Sequence, residues 1–143
     1  MWDTGSALAA YIAASDFGLI EQKEFDDAMM ALLETLSSIE LFDGAAPNKV
    51  YNTKTRKMVD YGNKVVEKGI GVSVLDLARL ISWMNTLQCM HPKYYSAINT
   101  VLSRWDYTRL IMNEEMYGMA RDKKDDNIAV SYTHLTLPTI LLV

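Results

Sequence analysis

Two aspartates sit where a carboxylate can do chemistry. Asp3 follows Trp2 and precedes an apolar stretch with helical spacing, and Asp76 stands three residues after Ser73 at the head of another such stretch. A carboxylate at the head of a helix can serve as a general acid or base. The same places suit capping, because an aspartate accepts the free amide protons of a first helical turn. Ser73-Val74-Leu75-Asp76 is also close to a capping box, so both readings stand. Arg79, three residues beyond Asp76, can pair with it along the helix, which makes Asp76 a poorer proton donor. Asn48-Lys49-Val50-Tyr51-Asn52 is a polar, aromatic run on a long connection, the kind of segment on which a rigid scaffold carries binding groups. Tyr61 and Asn63 belong with it. The other reading of this run is a β-hairpin flap packed on its neighbours. Glu114-Glu115 reads as a solvated helical face, since adjacent helical residues diverge by about 100°. Trp83 and Trp105 read as packing residues, and Cys89 as a small apolar one. There is no Gly-rich phosphate loop, no HExxH and no Cys/His metal spacing, so neither a metal nor a cofactor is expected.

The elements that must position these residues are helices. Leu8, Tyr11 and Ile12 share one face of a helix predicted over 4–16, which Asp16-Phe17-Gly18 stops. Phe25, Met29, Leu32, Leu33 and Leu36 form the stripe of a second, over 21–37. The short link between them predicts antiparallel neighbours. Leu77, Leu80, Ile81, Met84 and Leu87 mark a third over 73–89, and Tyr94, Ile98, Val101, Leu102 and Trp105 a fourth over 92–104, opened by His91-Pro92. Phe25 and Tyr94, Leu8 and Leu77, and Ile12 and Ile81 all match at an offset of 69 residues. Two αα-hairpins in register suggest a structural repeat, and stacked hairpins bury faces that one alone cannot. Between the hairpins, Gly44 to Gly71 holds six bases (Lys49, Lys54, Arg56, Lys57, Lys64, Lys68) against two acids (Asp60, Glu67). Lys49–Asn52 and Lys57–Tyr61 read as two short strands around Thr53-Lys54-Thr55.

The chain has 143 residues with a net charge of −4, and it is half hydrophobic and 22% charged. That mixture excludes collagen, a disulfide scaffold and wholesale disorder. With no overall basic field, nucleic acid is not an expected partner. One cysteine excludes an internal disulfide. No basic n-region precedes the first helix, and the final apolar stretch is too short and polar to span a bilayer, which takes about 20 apolar residues.

Met1-Trp2-Asp3-Thr4-Gly5-Ser6, Pro47 to Thr55, Met58-Val59-Asp60-Tyr61 and Gly71 to Leu80, taken in order, resemble the DUF3131 domain. The resemblance covers about Met1 to Tyr117, with Val72 and Ala78 standing where the family commonly has Trp and Gly. It implies an all-α fold, αα-hairpins forming part of an α/α toroid like that of the six-hairpin glycosidases, with a long loop or small β-hairpin inserted. It also implies an oligo- or polysaccharide partner and a periplasmic, envelope or extracellular location. At a toroid mouth Asp3 and Asp76 would be catalytic, with Trp2, Asn48, Lys49, Tyr51, Asn52, Tyr61 and Arg79 binding substrate. A non-catalytic glycan-binding or envelope scaffold module and a helical protein-interaction module are the alternatives.

Residues 1–120 are expected to be a partial domain, missing further hairpins, with 121–129 a charged linker and 130–143 a non-native tail. Val130-Ser131-Tyr132-Thr133-His134-Leu135 resembles a translated transposon sequencing adapter; the other reading of the tail is an edge strand.

Overall fold

The computed structural model describes residues 1–121 and the backbone of Ile128–Val130. These residues are predominantly helical, with short antiparallel strand pairs. They divide into two compact units, Met1–Ile39 with Asp76–Arg104, and Glu40–Leu75 with Trp105–Val143.

The first unit holds α1 (Trp2–Asp16), α2 (Gln22–Ser38), all but the first two residues of α3 (Val74–Met90), and α4 (Tyr95–Leu102). The periodic stripes make its core: Leu8 and Ile12, then Phe25, Met29, Leu33 and Leu36, then Leu77, Leu80, Met84 and Leu87, then Ile98 and Val101. Tyr11, expected on the buried face, is 38% exposed. The first three helices lie within two residues of their predicted spans. The fourth is shorter than predicted. Pro92–Tyr94 forms a 3-10 turn, and α-helical geometry runs only from Tyr95 to Leu102.

The packing places like helix beside like helix. α1 turns into α2 through Gly18, whose φ of 65° is the left-handed conformation that suits glycine. At the entry to α4, Lys93 and Tyr94 both donate to Asp26, near the start of α2, at 2.6 Å. Just past the end of α4, Arg104 donates to the Leu36 and Ile39 carbonyls, each at 2.8 Å, at the end of α2. Starts meet starts and ends meet ends, so α2 and α4 run parallel. α1 and α3 meet at Gly5, where an added Cβ would lie 3.3 Å from Arg79 Cγ and from the Leu80 backbone. Two hairpins are thus stacked, first helix on first and second on second. Phe25 and Tyr94, equivalent at the 69-residue offset, meet edge to face with ring centroids 6.1 Å apart.

Asp26 clamps the two hairpins together. Lys93, Tyr94 and Gln22 all donate to it, and they hold its carboxyl down at about 2. Burial and this same bond push the Tyr94 hydroxyl up. A carboxyl with a depressed folded pKa contributes stability above its unfolded value, and that contribution is lost as pH falls through the folded one. The clamp should therefore weaken between about pH 4 and 2, modestly, because the carboxylate is partly solvated. Thermal melts should show Asp26→Asn lowering the midpoint at pH 6 and flattening its fall over that window.

The second unit is built on short strands. β1 (Leu41–Phe42) pairs with β2 (Ala46–Pro47) across a turn in which Asp43 and Gly44 have φ of 47° and 70°. The expected hairpin follows, with Tyr51 bridging Met58 and the Asn52 amide donating to the Lys57 carbonyl. A second turn, over Asp60 to Lys64, brings Val59 against Val65. The flap thus carries two turns, and the Asn52 side-chain Nδ2 donates to Asn63 Oδ1 at 3.0 Å to tie them together.

The region after Trp105 differs from expectation. Glu114-Glu115 is not helical. Asn113 and Glu114, with φ of 51° and 64°, form the two-residue turn between β4 (Ile111–Met112) and β5 (Glu115–Met116), the left-handed pair that type I′ hairpins use. Sheet is also present near the expected tail. β3 (Gly71–Val72) pairs with β6 (Gly118–Ala120), and β6 with β7 (Ile128–Val130). The rest of the expected tail, and 122–127 of the expected linker, lie outside the described residues.

Asn48 anchors this unit. It is fully buried, and its amide donates to the Val50 and Val59 carbonyls at 2.7 and 3.4 Å. Its Oδ1 accepts from the Ile70 and Gly71 amides at 2.7 and 3.1 Å. Asn48→Ala strips the Ile70 and Gly71 amides and the Val59 carbonyl of their Asn48 partner, while the Val50 carbonyl keeps the Val59 amide; each buried group left unmet costs about 1–3 kcal/mol. Denaturant melts should show this variant losing more stability than the exposed Asn63→Ala.

Candidate functional site

The sequence-predicted residues fall into two groups, one in each unit. In the first unit, Trp2 and Asp3 open α1 while Asp76 and Arg79 lie in the first turns of α3. The Gly5 contact brings these two helix starts together, since a larger residue there would hold α1 off the α3 backbone. The Arg79 guanidinium lies 4.2 Å from the Trp2 ring centroid, a cation–π stack that fixes an otherwise exposed indole. Trp2 remains 48% exposed. The N-cap of α1 is Met1, which makes no side-chain cap hydrogen bond, and Asp3 lies inside the first turn. Asp3 is therefore not the capping residue, and its exposed carboxylate stands at the positive end of the helix dipole.

In the second unit, the 48–52 run is largely committed to its own fold. Asn48 has its amide engaged as described. The Tyr51 hydroxyl accepts from the Asn48 backbone N–H at 2.8 Å and donates to the Glu40 carbonyl at 2.6 Å. The Asn52 side chain accepts from the Lys54 and Thr55 amides, holding the first flap turn. The Lys49 amide donates to the Gly71 carbonyl. Tyr61 differs from these: its ring, in the second turn, is 80% exposed.

A cleft of about 410 Å³ in the second unit went unread in the sequence. Glu40, Asp43, Glu67, Lys68 and Arg121 give it a polar lining over Leu41 and Met58. Arg121 pairs with Asp43 at 2.7 Å, and Arg109 donates to the Asp43 carbonyl at 2.8 Å. The Asp43-Gly44 dipeptide between two short apolar pairs was a readable turn signal. The convergence of Arg109 and Arg121 on it, from 66 and 78 residues away, had no local signature.

Among the described residues, no cluster of His, Cys, Asp or Glu could hold a metal ion, and no helix is long and apolar enough to cross a membrane. No curated protein and no solved structure matches the chain. The family model for DUF3131, a protein of unknown function, matches residues 1–136. That span takes in both hairpins, the flap and the strands that follow, and by it the chain belongs to the DUF3131 family.

Proposed function

We propose that the chain is part of a carbohydrate-active protein of the glycoside-hydrolase-like α/α-toroid type, working on an envelope or extracellular glycan. One observation carries this reading: the adjoining starts of α1 and α3 gather Trp2, Asp3, Asp76 and Arg79 at one end of a hairpin stack. In a toroid, that end of the first helices is the mouth. An indole face and a guanidinium suit a sugar ring and its hydroxyls. Two carboxylates there supply what glycoside cleavage needs, an acid for the leaving oxygen and a second group for water or direct attack. Substrate-binding roles at this end pass to Trp2 and Arg79. Asn48, Tyr51 and Asn52 are left out because their side chains serve the flap.

The test is Asp3→Asn and Asp76→Asn, assayed for β-glucan hydrolysis alongside thermal melts. Loss of a general acid or base should lower the rate by at least about 100-fold. The melt should shift little for Asp3→Asn, where a first-turn acid contributes only about 0.3–1 kcal/mol. Hydrolysis unchanged in both variants would remove them from the chemistry. A glucan bound but never cleaved would turn the reading to a non-catalytic glycan-binding module.

A further inference from the structure

The flap of the second unit carries a charge that the rest of the chain does not share. Between Gly44 and Gly71 six bases face two acids, about +4 in a chain of −4, which leaves −8 on the remainder. Lys54, Arg56 and Lys57 lie in the first flap turn and Lys64 in the second, all four exposed. None of the four forms an ion pair among the described residues. The Asn52–Asn63 bond joins the two turns, so these cations share one tip. Of the two acids, Asp60 has its Oδ1 committed to the Gly62 and Lys64 amides at 2.9 Å, and Glu67 lies at the flap base, in the lining of the cleft. Tyr61 stands in the same second turn with most of its ring in water.

An exposed aromatic on a tip of cations offers a ligand a ring face and positive charge together. Clustered lysines raise the local positive potential and draw an anionic partner, while a tyrosine offers an apolar face with a wet end. A phosphate duplex carries one charge per about 1.7 Å of its axis, far denser than four cations around one ring. A glycan bearing one carboxylate per sugar or per few sugars is a sparser anion, and it brings sugar faces to stack on the ring.

We propose that this flap tip is a docking surface for an acidic, carboxylate-bearing polysaccharide, held by Lys54, Arg56, Lys57 and Lys64 around Tyr61. The inference rests on the carbohydrate reading above and assigns that ligand its charge.

Affinity electrophoresis of the chain in native gels containing polygalacturonate tests it. Parallel gels hold neutral β-glucan, and single-stranded DNA and anionic phospholipid vesicles serve as competitors. The variants are K54Q/R56Q/K57Q/K64Q, the milder K54Q/K64Q, and Tyr61→Ala, each checked by thermal melt. All five residues are exposed, so the melts should match the parent. Polygalacturonate retention should weaken by about tenfold in the fourfold variant and less in the others, and should fade in the parent as salt shortens the screening length. Retention unchanged in the fourfold and Tyr61→Ala variants would overturn the proposal. So would stronger competition by DNA or vesicles than by free polygalacturonate. If flap-dependent polygalacturonate retention holds while β-glucan is neither bound nor cleaved, the toroid-mouth reading fails alone. If β-glucan is cleaved and the flap variants behave as the parent, only the docking surface fails.

Discussion

The flap unit depends on one buried amide. An asparagine side chain brings two donors and an acceptor oxygen with two lone pairs, and burial makes each one a debt if unmet. Asn48 meets them all with backbone groups, at Val50, Val59, Ile70 and Gly71. Three stretches of chain, at Val50, at Val59 and at Ile70-Gly71, the last 23 residues away, are thereby fixed to a single side chain. The glycines around it are required by this arrangement. At Gly69, φ is +72° and a Cβ would stand 2.7 Å from Asn48 Oδ1. At Gly71 a Cβ would lie 2.0 Å from the Met119 carbonyl oxygen, so β3 and β6 can pair only because that position has no side chain. In a long loop with so few regular elements, side-chain bonds of this kind hold the shape.

The helical unit solves a different problem with charge and small size. Its stripes bury apolar faces, but burial is non-directional and does not fix which helix lies beside which. Direction comes from the polar clamps at each end of the α2–α4 pair, Asp26 with Lys93 and Tyr94, and Arg104 with the last carbonyls of α2. Those carbonyls lie in and just past the final turn, where a helix leaves acceptors unpaired. Arg104 satisfies them and marks the register in the same contact. On the other side Gly5 removes the bulk that would keep α1 off α3. The helix starts that gather Trp2, Asp3, Asp76 and Arg79 are therefore positioned by a contact between the first helices, with the clamps holding the second.

What was legible in the sequence was what is periodic. Phe25, Met29, Leu33 and Leu36 repeat over three turns, and no alternative structure buries that set together. The match of Phe25 with Tyr94 at a fixed offset became a ring contact between stacked hairpins. The short strands were not legible, because two or three residues carry no period. Met112, Glu114, Glu115 and Met116 are residues of high helix propensity, yet the left-handed pair Asn113-Glu114 turns them into a hairpin. Tertiary context overrode a weak local preference. The site was partly legible for the same reason. Helix starts could be placed, so Asp3 and Asp76 were found at them, whereas the Arg121–Asp43 pair in the cleft spans 78 residues and leaves no local trace.

The Asn48–Asn52 run shows why polarity on a loop is a poor guide to binding by itself. A loop without ladders must satisfy its own backbone, and its polar side chains are the groups nearest to hand. Asn48, Tyr51 and Asn52 are consumed in that way, and the more they are consumed the firmer the flap becomes. Groups left over for a ligand must then be those whose reach exceeds the local hydrogen-bonding distance or whose chemistry the backbone cannot use. Lysine and arginine side chains at a turn tip meet the first condition, and an exposed phenol ring meets the second. Within one loop, residues near its root therefore hold the shape, and residues at its tip present cations and an aromatic face outward. The helix starts divide in the same manner: Gly5 sets the approach, Arg79 packs against Trp2, and Asp3, which caps nothing, keeps its carboxylate in water.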